Sequence, residues 1–248
     1  MSVSMLTQPI RFACKTLLVT ALLGATSHAA APQQSDWAAL GKLPNFTEGV
    51  WGYNFTPAAT AQAGAGGGAP VRKPGVPADT RVATGETCMP IGVPSIMSKP
   101  YPFEFVFAPG RVTMLMEFDG LVRRIYTDGR KHPEDPDLTY AGYSIGHWEK
   151  DTLVVDTTGL LPEVQVAAGV AADSTTHVIE RMRLTAPDTL TIEYTIDAPN
   201  KLAKPWSYTR VYQRHRDWEV QEYFCQQNPR LTTDADGNNI PDLTPPAK

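Results

Sequence analysis

Arg111-Val-Thr-Met-Leu-Met-Glu-Phe-Asp-Gly-Leu-Val-Arg-Arg-Ile-Tyr-Thr127 decides the fold class. Val112, Met114, Met116 and Phe118 alternate with Arg111, Thr113 and Glu117, the period of a strand with one apolar face. Asp119-Gly120 then turns the chain into a second run, Leu121–Thr127. Asp-Gly between two such runs is the strongest short signal for a β-hairpin.

The same grammar extends outward in both directions. Phe103–Ala108 stops at Pro109-Gly110, and Asp128-Gly129 closes the second strand of the central hairpin. Ser144–Trp148 and Thr152–Thr157 flank Glu149-Lys-Asp151, and His177–Leu184 and Thr189–Asp197 flank Thr185-Ala-Pro-Asp188. Tyr208–Arg214 and Glu219–Cys225 flank His215-Arg-Asp217, and Gly49–Phe55 supplies an early strand. No amphipathic helix interrupts these runs, so they predict an all-β antiparallel meander. About nine or ten strands are too many for a strongly twisted open sheet, which predicts closure into a barrel, with a β-sandwich as the alternative.

The rest of the chain divides around that domain. Residues 1–29 have the form of a secretory signal: Arg11 and Lys15, the short apolar run Thr16–Ala25, then Ser27-His-Ala29 before a cut. The run is too short to span a bilayer as a helix. Residues 30–56 hold a short N-terminal helix after Ser35, ending before Pro44, and the first strand. Residues 57–102 form a Gly/Pro-rich loop region, 103–228 the main β domain and 229–248 a polar tail, one domain overall.

Composition sets the compartment and excludes several partners. The 248 residues are 42% apolar and carry 22 Lys+Arg against 26 Asp+Glu, a net of −4. Loss of the signal takes away two cations and brings the net to −6. No basic stripe suits nucleic acid, and no transmembrane segment is expected after processing. Cys88 and Cys225 remain. In the periplasm or outside the cell such an isolated pair is most simply a disulfide, with inert thiols or a metal pair as alternatives.

Two stretches resemble a family of mostly uncharacterised exported bacterial proteins, found mainly in proteobacteria and acidobacteria. They are Ile125-Tyr-Thr-Asp-Gly-Arg-Lys-His-Pro-Glu-Asp-Pro-Asp137 and Ser144-Ile-Gly-His-Trp-Glu-Lys-Asp-Thr-Leu-Val-Val-Asp-Thr157. Cys88-Met-Pro90, Pro100–Phe105, His177–Arg181 and Glu222–Cys225 extend the likeness over most of the mature chain. Tyr143 departs from the group's pattern, which often has His there. The resemblance implies a shared fold and shared special positions, and brings no activity with it. Separately, Gly49-Val-Trp51 resembles the Gly-x-Trp opening of lipocalin-type barrels, which implies a calycin-like closure.

Candidate chemistry rests on a few polar groups. His132 sits in a charged, proline-stiffened loop beside Glu134, Asp135 and Asp137. Carboxylates near an imidazole suit general acid–base work. His177, Ile179 and Arg181 share one face of their strand, and Val178, Glu180 and Met182 share the other. Glu180 is thus a carboxylate on an apolar face, which must find donors. It reads either as a structural ion pair with Arg123, Arg124 or Arg210, or as an acid facing a barrel cavity. No GxGxxG, P-loop, HExxH or CxxC occurs, which removes the usual support for nucleotide, zinc and dithiol chemistry.

The sequence therefore predicts a barrel around a partly polar hollow that takes a small apolar or aromatic molecule. Turnover would be cofactor-free lyase, isomerase or hydrolase chemistry, with His132 as base or acid, His177 as its partner, and Glu180 and Asp156 as orienters. Tyr126, Tyr143, Arg124, Arg181, His147 and Trp148 would bind the substrate. The alternative is a periplasmic binding protein without turnover, walled by Met114, Met116, Phe118, Tyr194 and Trp206. Asp234, Asp236, Asn238 and Asp242 have the spacing of a calcium loop, or of a plain polar tail.

Overall fold

The computed structural model describes residues 37–54, 68–80 and 88–225, together with the backbone of 231–233 and 239–241. The signal segment, Ser35, residues 57–67 of the loop region and Asp234, Asp236, Asn238 and Asp242 lie outside the described residues. A one-turn helix, α1 (Trp37–Leu40), precedes β1 (Val50–Tyr53). Then come β2 (Phe103–Ala108), β3 (Arg111–Met116), β4 (Val122–Tyr126), β5 (Tyr143–Glu149) and β6 (Thr152–Thr158). A small hairpin, β7 (Gln165–Ala167) and β8 (Val170–Ala171), leads to β9 (His177–Ala186), β10 (Thr189–Asp197) and β11 (Trp206–His215). β12 (Leu231–Thr233) and β13 (Asn239–Pro241) pair with each other.

Nine strands close into a barrel in the order β1-β11-β10-β9-β6-β5-β4-β3-β2. The central hairpin is β3 and β4, and Asp119 adopts φ 60° at its turn, a left-handed conformation that Asp tolerates better than most residues. Closure falls to β1, where Trp51 stands opposite both Arg214 and Phe103. The expected strand over 219–225 does not form. β1 already occupies the free edge of β11, so the chain beyond His215 runs over the outside. There the Gln221 amide donates to Glu117 (2.9 Å) and Tyr223 packs on Tyr101 and Phe118.

β4 and β5 run parallel, which breaks the meander. A parallel pair needs a crossover connection. Residues 127–142 provide it, and they return along the outside of the wall.

The barrel interior is filled with side chains. Leu153, Val155, Val178, Met182, Ile192, Tyr194 and Ile196 are fully buried within it. At one end the Arg214 guanidinium lies 4.4 Å from the Trp51 ring and donates to the carbonyls of Glu48 and Asn45. At the other end, Ile96 and Met97 of a 3-10 turn pack with Val164, Val166 and Val170 around β7 and β8. Tyr212 fixes that turn by donating to the Met97 carbonyl (2.8 Å). Cys88 and Cys225 form a disulfide. Among the described residues, no helix is long and apolar enough to cross a membrane.

Candidate functional site

Side-chain alternation decides which polar groups meet. On β6, Leu153, Val155 and Thr157 face inward and are buried, so Val154, Asp156 and Thr158 face outward. On β9, His177 and Ile179 share the outward face for the same reason. β6 and β9 are neighbours, with Asp156 opposite Ile179. This brings the Asp156 carboxylate to 2.9 and 3.0 Å from His177 Nδ1. The crossover lays His132 over the same spot, with Nε2 3.2 Å from Asp156 Oδ2 and Nδ1 3.1 Å from Thr158 Oγ1.

Donor and acceptor rules then set the protons. An ionised carboxylate only accepts, so both imidazoles donate to Asp156, His132 from Nε2 and His177 from Nδ1. A neutral His132 accepts from the Thr158 hydroxyl at Nδ1. Both of its nitrogens are occupied. His177 Nε2 makes no hydrogen bond to the described residues and keeps its lone pair. Its side chain is 44% exposed against 19% for His132. His177 thus offers an open nitrogen, whereas both nitrogens of His132 are engaged.

A file of aromatic rings leads away from the pair. His177 and His132 ring centres are 6.2 Å apart, His132 and Tyr143 6.0 Å, Tyr143 and Tyr126 5.3 Å. Arg130 caps the far end, its guanidinium 3.8 Å from the Tyr126 ring centre, and donates to the Tyr143 hydroxyl (3.4 Å). It also grips Asp128, and that hydrogen bond holds the Asp128 carboxyl below its usual range. Tyr126 and Tyr143 line a groove of about 340 Å³ together with Arg124, Val122, Tyr140 and Ala141. Gly142 permits this approach. Its φ is +67°, and a Cβ there would lie 2.6 Å from Thr157 Cγ2 and 2.7 Å from the Thr158 carbonyl.

Other expected site residues lie elsewhere. Glu180 is wholly buried on the inner face, where Arg123 binds both of its oxygens. Arg123 also reaches Ser144 Oγ (3.2 Å) and Thr157 Oγ1 (2.8 Å). Glu180 therefore belongs to a structural ion pair and does not join His132, Asp156 and His177. Arg181 and His147 both bind Glu149, at 2.7 and 3.2 Å, away from the groove. Trp148 points inward against Phe46 and Phe107. Of the wall expected for a carrier, Met114, Met116 and Tyr194 are buried in the core, and Phe118 and Trp206 pack against it part-buried. The imidazoles and their carboxylate stand on the outer wall and face no interior hollow.

Thr158 and Arg130 complete the cluster, through His132 and Tyr143 respectively. Thr158 shares the outward face of Asp156 two residues on, a signal that strand periodicity carries. No group of three or more His, Cys, Asp or Glu among the described residues is arranged to hold a metal ion.

No family model, curated protein or solved structure matches the chain.

Proposed function

We propose that this chain is an exported enzyme that acts on a small aromatic molecule by proton transfer on the outer wall of its barrel. The observation that carries the reading is Asp156, which takes a hydrogen bond from each of two imidazoles and leaves His177 Nε2 open. A carboxylate fixing the tautomer and orientation of an imidazole is how a protein prepares a general base. The tyrosine groove offers the aromatic surface. Arg124 makes no ion pair with the described residues, whereas Arg181 is engaged by Glu149. Arg124 is thus the cation left to hold an anionic substituent of the substrate.

The chemistry assigned is cofactor-free acid–base work of the lyase, isomerase or hydrolase kind. His177 removes a proton, Asp156 stabilises the imidazolium that forms, and His132 with Thr158 holds Asp156 in place. Periplasmic or secreted residence fits the disulfide and the signal-like N-terminus.

The experiment is metabolite profiling with the purified mature protein beside H177A and D156N variants. A compound consumed by the parent protein and spared by both variants supports the enzyme. A compound bound unchanged by all three supports the binding-protein reading and overturns this one.

A further inference from the structure

A second site lies apart from the imidazoles and owes nothing to the reading above. Residues 71–73 run beside 201–203. Arg72 bridges to Leu202, the Lys73 amide donates to the Lys201 carbonyl (2.9 Å), and the Ala203 amide donates to the Val71 carbonyl (2.9 Å). This short ladder brings Arg72 and Lys73 beside the segment that carries Lys201 and Lys204, in a chain whose net charge is −4.

The surface is concave. A pocket of about 390 Å³ is lined by Ala69, Pro70, Arg72, Lys73, Val76 and Ala168. Arg72 lies along the tip of the β7–β8 hairpin, where a Cβ on Gly169 would sit 2.9 Å from its Nη1. Gly169 also has φ +68°, so glycine serves there both the turn and the path of the guanidinium. Arg72, Lys73 and Lys204 form no ion pair with the described residues. Asp173 feels the charge of Lys201, but its Oδ1 already accepts from Thr175 and Thr176.

We infer that this pocket binds a phosphoryl dianion, with Arg72 and Lys73 as its principal contacts and Lys201 and Lys204 adding to the local field. A guanidinium fork beside an ammonium suits a tetrahedral dianion better than a single carboxylate. The lining has no aromatic ring on which a nucleobase would stack. The recognised group is the phosphate itself, whether on a soluble ester or on a lipid headgroup.

The test is a titration of the full mature chain with inorganic phosphate at constant ionic strength, read from backbone amide shifts. Saturable shifts around 70–73, 168–169 and 201–204, weakened at least tenfold in R72Q/K73Q and unchanged in H177A, support a soluble ester. Co-sedimentation with phosphatidic acid vesicles, whose headgroup is a phosphomonoester, but not with phosphatidylcholine vesicles, abolished in R72Q/K73Q, supports a headgroup. Both substitutions are on exposed side chains, and a G169A variant, which displaces Arg72, is to weaken binding as well. Absence of both responses, or binding that survives in R72Q/K73Q, overturns the proposal.

Discussion

His177 Nδ1 lies 2.9 Å from one oxygen of Asp156 and 3.0 Å from the other, on the outside of the barrel. Both contacts require the proton on Nδ1, so the lone pair resides on Nε2. Long-range nitrogen–proton correlation spectra of the neutral rings are expected to show His177 as the Nδ1–H tautomer and His132 as the Nε2–H tautomer. In D156N the amide can donate as well as accept, which removes this preference. Turnover should then fall by about 10²–10⁴-fold, the usual worth of a positioned acid or base, with little change in Tm because Asp156 is part-exposed. The opposite tautomer at His177 would contradict the role given to it.

Arg123 and Glu180 present the contrary case, two charges buried together inside the barrel. Removing one partner leaves the other uncompensated in a region that water does not reach. E180A should therefore cost about 3–5 kcal/mol in chemical denaturation. R123M/E180L, which removes both charges and keeps the volume, should recover most of that loss. A double variant as unstable as E180A would show that Ser144 and Thr157, not the charges, account for the cost.

Those two pairs also mark how far the sequence could be read. The Arg123–Glu180 pairing was among the expected alternatives because alternation along β9 puts Glu180 on the apolar face. Alternation likewise puts Asp156 and His177 outward. Their meeting depends on β6 and β9 being neighbours although residues 159–176 separate them, and no local pattern reports that. The parallel β4–β5 pair is equally silent, so nothing local places the loop carrying His132 across the outer wall. The expected strand over 219–225 includes Tyr223-Phe224, which suit a strand. It fails because β1 had taken its place beside β11, a tertiary fact. Barrel closure suggested a hollow, but side chains fill the interior, Arg123 and Glu180 among them.

Cys88 and Cys225 close a loop with a sequence separation of 137. A cross-link of that span restricts the unfolded chain far more than the folded one. In the chain-entropy treatment it contributes roughly 4–5 kcal/mol. C88A/C225A should lose stability of that order at equilibrium in denaturant, and reducing agent should lower the parent protein's Tm while leaving the double variant's unchanged. Equal sensitivity of the two proteins to reductant would place the effect elsewhere.

His215 gives the fold a pH dependence of definite sign. Its ring stacks on Trp218 with centres 3.6 Å apart, and burial pushes the imidazole below its ordinary value of 6.5. The native state then binds fewer protons than the unfolded chain in the window just below pH 6.5, so stability is lost as pH falls through that window. The nearby carboxylates Glu48 and Asp188, held low by Arg216, lose their contribution only at more acidic pH. Comparing the parent protein with H215Q at pH 7.5 and 5.5 therefore separates this histidine from those carboxylates and from the other imidazoles. The parent protein should be less stable at 5.5, and H215Q, which cannot take up the proton, should show a smaller difference. A parent protein equally stable at both values, or a variant with the same loss, would mean that the stacked ring accepts its proton without leaving Trp218.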